Sequence, residues 1–346
     1  MLLQRQTEHG LRPLVTRHAV SLLLGLTLLV TVVGWGAHRA GADTGGASVI
    51  ASAPVLTDEQ QVQASNEMTL WKAVVLGVVE GVTEYLPISS TGHLVVTQRL
   101  LDIGTDSATK DAADSYAIAI QFGAILAVLV LYRRRILLIL SGLVGRSEEG
   151  RRLFITLVLA FLPAVLIGVT LEKPIKANLL GPVAVVVAWV VGGIVLLVVA
   201  PRIKPDRAGA SLTAISYKQA IIIGAAQVLA MWPGTSRSLV TILAAIAVGT
   251  TLAAAVEFSF LLGLMTLGAA TLYESAKNGA TVIDAYGVAS PLIGVFVAFI
   301  AAAASIRWMV TWLQTRSLAI FGWERIVVSV ITIALMVTGV ISSSTV

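Results

Sequence analysis

The stretch EGVTEYLPISSTGHLVV, residues 80–96, sets two carboxylates, a cluster of hydroxyls and a histidine inside apolar surroundings. Glu80 and Glu84 are spaced i,i+4, so a helix projects both from one face, one turn apart. Two carboxylates placed this way repel, and in an apolar setting the pair must take up a proton or be neutralised by a cation. A hard divalent ion, Mg²⁺ or Ca²⁺, takes oxygen ligands and would serve. The plainer alternatives are a pair facing a wet vestibule or one hydrogen-bonded to the nearby hydroxyls. His93 is the only histidine after residue 38, which excludes a multi-histidine zinc site and any mechanism needing one histidine as nucleophile and a second as acid. It follows Ser90 by three residues in a loop with Ser89, Thr91 and Gly92. That setting suits proton transfer or nucleophilic attack, against the alternative of a satisfied polar group.

A second polar cluster, PGTSRS, holds Gly234, Thr235, Ser236, Arg237 and Ser238. An arginine amid apolar neighbours is costly unless it meets an anion. The guanidinium fork matches phosphate or carboxylate oxygens, and the flanking hydroxyls and backbone N–H groups add donors. Pairing with Glu80 or Glu84 is the competing reading, though it would not need so many hydroxyls. Glu257 either supplies another carboxylate or marks a helix boundary. Trp308, Trp312 and Trp323, interspersed with Arg307, Arg316 and Arg325, read as an interfacial belt.

These groups need elements to position them. Of the 346 residues 57% are hydrophobic and 12% charged, the mean hydropathy is +0.89, and apolar runs of roughly 16 to 20 residues recur. Runs of this length without two-residue alternation predict an all-α polytopic membrane protein, because helices satisfy their own backbone in hydrocarbon. The expected spans are 116–132, 153–171, 182–200, 257–273, 291–306 and 326–342. Absence of cysteine excludes disulfides and thiol chemistry. The net charge of +5 is concentrated in short loops and reads as topology, not nucleic-acid binding. Arg133, Arg134, Arg135, Arg146, Arg151, Arg152, Arg202, Lys204, Arg207, Lys218, Arg307, Arg316 and Arg325 fall on one side, which the positive-inside rule makes cytoplasmic. Residues 1–67 form an extension: a basic start, an apolar run at 19–35 that is either a signal peptide or an anchor, then a polar linker.

The segments 71–86 and 220–232 are apolar but run into Pro87 and Pro233, where hydroxyl-rich loops begin. Lys72 precedes Pro87 by the interval at which Lys218 precedes Pro233, and Ser90 and Ser236 each follow their proline by three. Each broken segment is followed by three expected spans. This predicts two inverted-topology repeats, 68–215 and 216–346, each opening with a re-entrant broken helix, with the two loops meeting at the midplane.

Paired acids able to hold a divalent cation, a serine beside a histidine, and an arginine loop make a phosphoryl-transfer set. No Walker A or kinase motif is present, so water is the expected acceptor, and a site inside the membrane implies a lipid-borne phosphate.

EGVTEYLPISSTGH, PGTSRS and EFSFLL, in this order, resemble the undecaprenyl-diphosphate phosphatase family associated with bacitracin resistance, over residues 68–342. The resemblance implies hydrolysis of undecaprenyl diphosphate to undecaprenyl phosphate at the outer face of the cytoplasmic membrane, recycling a carrier lipid for the cell wall. It implies Glu80 and Glu84 as metal-associated acids, Ser90 and His93 as nucleophile and acid/base, and Arg237 as phosphate ligand, with Ser89, Thr91, Gly234, Thr235, Ser236 and Ser238 around the substrate. Ser90 activated by His93 is the favoured pairing; attack by His93 or by metal-activated water stays open. Where the family typically has a tyrosine near the last span this chain has Trp323. The expected partners are the polyprenyl diphosphate and the bilayer, with a homodimer allowed. A lipid-phosphate transporter or flippase is the alternative, since inverted repeats with broken helices are transporter architecture.

Overall fold

The computed structural model describes residues 64, 67–104, 109–179 and 181–342; the expected apolar run at 19–35 and most of the linker lie outside them. Among the described residues there are eleven α-helices and no β-strand. They are α1 (Leu70–Thr83), α2 (Ser90–Leu100), α3 (Lys110–Leu131), α4 (Arg133–Leu143), α5 (Glu148–Leu179), α6 (Pro182–Val199), α7 (Tyr217–Gln227), α8 (Arg237–Ala247), α9 (Leu252–Tyr286), α10 (Ala289–Trp312) and α11 (Ala319–Val337).

Six of these, α3, α5, α6, α9, α10 and α11, are long and apolar enough to cross a membrane, and each contains or overlaps one expected span. Four of them, α3, α5, α9 and α11, start five to seven residues earlier than expected, because first turns such as Lys110–Ser115 and Glu148–Arg152 are helical too, whereas α6 starts at the expected residue 182 and α10 two residues before 291. The largest difference is α9, which continues past residue 273 to Tyr286 through Glu274, Lys277 and Asn278. Lipid-facing surface is visible on α6, where Val187, Val191, Ile194 and Val198 are all exposed.

The two broken segments are built alike. With 14 residues, α1 reaches about 21 Å, short of the ~30 Å hydrocarbon core; α2, α7 and α8 have 11 residues each. A capping box starts α7: Ser216 Oγ accepts from the Gln219 N–H, and Gln219 Oε1 accepts from the Ser216 N–H. Chain direction changes at 84–89 and 228–236, where Pro87 and Pro233 cannot continue a helix. After each proline one serine takes a left-handed backbone, Ser89 with φ 77° and Ser236 with φ 70°. Each then caps the next helix, Ser89 Oγ accepting from the Gly92 N–H and Ser236 Oγ from the Leu239 N–H.

Small residues let the backbones close around these breaks. A Cβ at Gly77 or Gly81 on α1 would collide with the Gly294 or Ala298 carbonyl of α10, and one at Gly123 on α3 with the Val295 carbonyl. Ser305 Oγ of α10 donates to the Gly81 carbonyl at 3.0 Å. The turn residues Tyr85, Leu86 and Ile88 are buried in the main apolar cluster, with Tyr85 edge-on to Phe260 at 5.2 Å.

Candidate active site

The two hydroxyl loops meet, as the sequence predicts. Ser238 Oγ donates to the Leu86 carbonyl at 2.8 Å. The larger joint is Arg325 on α11, fully buried. Its Nη1 donates to Pro87 O at 3.2 Å, its Nη2 to Gly234 O at 2.7 Å, Ala188 O at 3.0 Å and Thr235 O at 3.3 Å, and its Nε to Trp189 O at 3.4 Å. Gly192 leaves the room, since a Cβ there would stand 2.5 Å from Nη2. This corrects the assignment of Arg325 to an interfacial belt and its inclusion among the loop charges on the cytoplasmic side, since it lies buried inside α11. A planar fork with donors on three nitrogens can collect carbonyls from two loops and α6, which an exposed belt residue does not do. Trp323, by contrast, is exposed, and the Trp308 and Trp312 rings lie 5.6 Å apart in a tilted arrangement.

Glu84, buried in the first loop, is the centre of the polar site. Its Oε2 accepts from Ser90 Oγ and from Gln121 Nε2 at 3.3 Å, and Thr271 Oγ1 fixes Gln121 by donating to its Oε1 at 3.2 Å. Its Oε1 accepts from Arg237 Nη2 at 3.3 Å. Arg237 also donates through Nη1 to the Ser259 carbonyl at 3.0 Å and lies over the Tyr85 ring at 5.4 Å. A Cβ at Gly263 would overlap that guanidinium, so glycine there admits it. Arg237 Nε is buried without an acceptor, leaving donor capacity for an anion. Glu80, one turn earlier, is buried with both carboxylate oxygens lacking a donor; its charged neighbours are Glu84 and Arg237.

His93 does not pair with Ser90, contrary to the expectation. Its Nδ1 lies 2.7 Å from the Ser89 carbonyl and its Nε2 2.9 Å from Glu324 Oε1, while its ring packs on Trp189 at 4.8 Å. Helix α2 begins at Ser90, so the serine and the histidine, three apart, share its first turn, but Glu84 reaches the serine hydroxyl first. Glu324 is the residue missed by sequence reasoning. It sits between Trp323 and Arg325 in a stretch that reads as interfacial, and a single carboxylate far along the chain carries no local signal.

The other expected ligands are placed as follows. Ser89 and Ser236 serve as helix caps, Ser238 stitches the loops, and Gly234 has φ 91° where an added Cβ would stand 2.8 Å from the Val185 carbonyl; these four serve the backbone. Thr91 is exposed and Thr235 half-buried beside them. Glu257 is outside the site, paired with Arg135 at 2.7 Å, and so marks a boundary. No group of three or more His, Cys, Asp or Glu side chains able to hold a metal occurs among the described residues.

An apolar groove of about 700 Å³ runs from this region between α1, α10 and α11. Leu86, Ile88, Ala301, Trp308, Phe321 and Val328 are among its walls, and among the described residues lining it only His93 and Glu324 are ionisable.

A family model described as Bacitracin resistance protein BacA matches residues 73–331. The chain is 42% identical over 262 residues to an undecaprenyl-diphosphatase of Sorangium cellulosum, covering 75% of this chain and 84% of that protein. It is 40% identical over 275 residues to undecaprenyl-diphosphatase 2 of Rhodospirillum rubrum, covering 80% and 98%, and 39% identical over 267 residues to undecaprenyl-diphosphatase 3 of Acinetobacter baylyi, covering 77% and 97%.

Proposed function

The chain belongs to the bacitracin resistance protein family, and from that premise we infer that it is a membrane phosphatase hydrolysing undecaprenyl diphosphate to undecaprenyl phosphate and inorganic phosphate. The observation that carries the chemistry is the arrangement around Glu84. One oxygen accepts the Ser90 hydroxyl and the other meets Arg237, so one carboxylate, the base, is flanked by the nucleophile and an anion-binding cation. In the mechanism this supports, Ser90 Oγ attacks the terminal phosphorus and gives its proton to Glu84. The bond to the bridging oxygen breaks, undecaprenyl phosphate leaves, and water then releases phosphate from the serine. Arg237 moves from Glu84 toward the phosphate oxygens as their charge enters the site.

A divalent cation fits the acids. Glu80 offers two buried oxygens with no donor, beside a second carboxylate, and a hard ion held by one or two carboxylates completes its shell with water and substrate oxygens. Glu80 and Glu84 would hold it; bound there it would neutralise the acids and phosphate charge. The apolar groove supplies a place for the polyprenyl tail, with the diphosphate at its polar end. The loop charges support a plasma-membrane topology in which the site opens to the extracytoplasmic side. The twin breaks support reading 68–215 and 216–346 as copies of opposite orientation. A transporter needs no serine held by a buried base, and the phosphatase reading is favoured over it.

The test is phosphate release from undecaprenyl diphosphate by purified protein in detergent, with Mg²⁺, with Ca²⁺ and with chelator. Wild type should release phosphate in a metal-dependent manner, and Ser90→Ala, Glu84→Gln and Arg237→Ala should each lose at least about 100-fold. Folded wild type that binds the lipid but releases nothing would sink the phosphatase reading.

A further inference from the structure

The pairing of His93 with Glu324 has no part in activating Ser90, whose hydroxyl is held by Glu84. Both imidazole nitrogens face oxygen acceptors, the Ser89 carbonyl and the Glu324 carboxylate. A neutral imidazole has one N–H and cannot satisfy two acceptors. The contact at Nε2 therefore requires a further proton, held either as imidazolium facing carboxylate or as imidazole facing carboxylic acid. Both arrangements contain the same number of protons. The pair is a proton store, one extra proton being shared between imidazole and carboxylate.

Its place in the site says what the proton is for. His93 and Glu324 line the groove, whereas Ser90, Glu84 and Arg237 form the polar centre beyond it. A lipid with its tail in the groove presents its phosphates in a fixed order: first the one carrying the tail, then the terminal one. On the phosphatase reading above, the tail-bearing phosphate is the leaving group, and it passes the imidazole.

We propose that Glu324 is a positioning residue that holds His93 protonated at the mouth of the groove, so that His93 delivers a proton to the departing lipid phosphate. The Ser90 proton goes to Glu84, the oxygen–phosphorus bond to the serine forms, the bridging bond breaks, and its oxygen receives the proton held by the pair. In the second half, water attacks the phosphoserine and gives a proton to the pair, while the serine oxygen recovers one from Glu84. Both groups return to their starting states. The groups facing the pair are few. From α11 comes Arg325, which feels the charge of Glu324; from α6 comes the Trp189 ring; and from α1 and α10 the polar wall residues are Thr83, Ser305 and Trp308. Glu324 is thus the carboxylate that binds the proton to His93.

Glu324→Gln tests this, because an amide can donate to Nε2 and leave His93 neutral. The delivery step consumes the proton shared by the pair, so activity should fall once rising pH has removed it. In Glu324→Gln that fall should begin at lower pH, with kcat reduced about 10- to 100-fold on the alkaline side, KM little changed, and Glu324→Asp restoring the wild-type profile. A second readout needs no activity: diethyl pyrocarbonate attacks neutral imidazole, and His93 in Glu324→Gln should react at least about fivefold faster than in wild type, as read by mass spectrometry of the peptide carrying it. A uniform loss across pH, an unchanged profile, or equal reaction rates would overturn the proposal while leaving a phosphate-releasing wild type intact. If wild type releases no phosphate, the phosphatase reading and the delivery step both fall, and the reaction rates alone decide whether the proton store exists.

Discussion

A buried carboxylate that accepts from a serine, a glutamine and an arginine has little freedom to turn. The Thr271–Gln121–Glu84 chain of hydrogen bonds fixes which oxygen faces Ser90. Removing the amide in Gln121→Leu leaves the carboxylate with one donor fewer and free to rotate, so kcat should fall about tenfold with KM nearly unchanged, as steady-state phosphate release would read. Thr271→Val removes only the outer link and should cost less. The composition of this site was legible in the sequence: Glu80, Glu84, Ser90 and Arg237 are brought together. Its connectivity was not. Nearness along the chain suggested a Ser90–His93 pair, whereas the helix begins between the carboxylate and the histidine and gives the serine to Glu84. Glu324 joins from 231 residues away, a distance over which spacing carries no information.

At the level of helices, the glycines set how close groups come. Gly263 on α9 leaves the volume that the Arg237 guanidinium occupies, so Gly263→Ala should push the arginine off Glu84. We expect KM to rise at least about tenfold while the thermal midpoint moves little, measured by kinetics and thermal unfolding in detergent. Gly81 acts differently, because α10 backbone itself fills the space above it. Gly81→Val should separate α1 from α10 and destabilise the fold by about 1–3 kcal/mol, seen as a lower midpoint with activity falling in step. The six spanning helices were readable from apolar run length, and the two breaks from Pro87 and Pro233. Their ends were not, since polar first turns are helical for capping and packing reasons that hydropathy does not register.

Across the whole molecule, the proposed topology puts Arg133–Arg135, at the start of α4, in the cytoplasm, and Asp102, beyond the other end of the apolar helix α3, outside. With no native cysteine, single cysteines can test it: Asp102→Cys should label with an impermeant maleimide from outside intact cells, and Arg134→Cys only after permeabilisation. The reverse pattern would invert the topology and place the site on the other face. Arg325 ties the two loops to α6. Arg325→Lys keeps the charge but cannot reach carbonyls from both loops at once, and should lower stability by about 3 kcal/mol or more because buried carbonyls lose their donors, as a fall in thermal midpoint would report. That arginine lies on the last described helix, and the loops it joins are made far earlier in the chain. During synthesis, therefore, the first loop must wait in the bilayer unfinished until α11 has been inserted. A chain interrupted before α11 would hold every residue of the Glu84 cluster and still lack the clamp that sets them, so catalytic competence arrives only with α11.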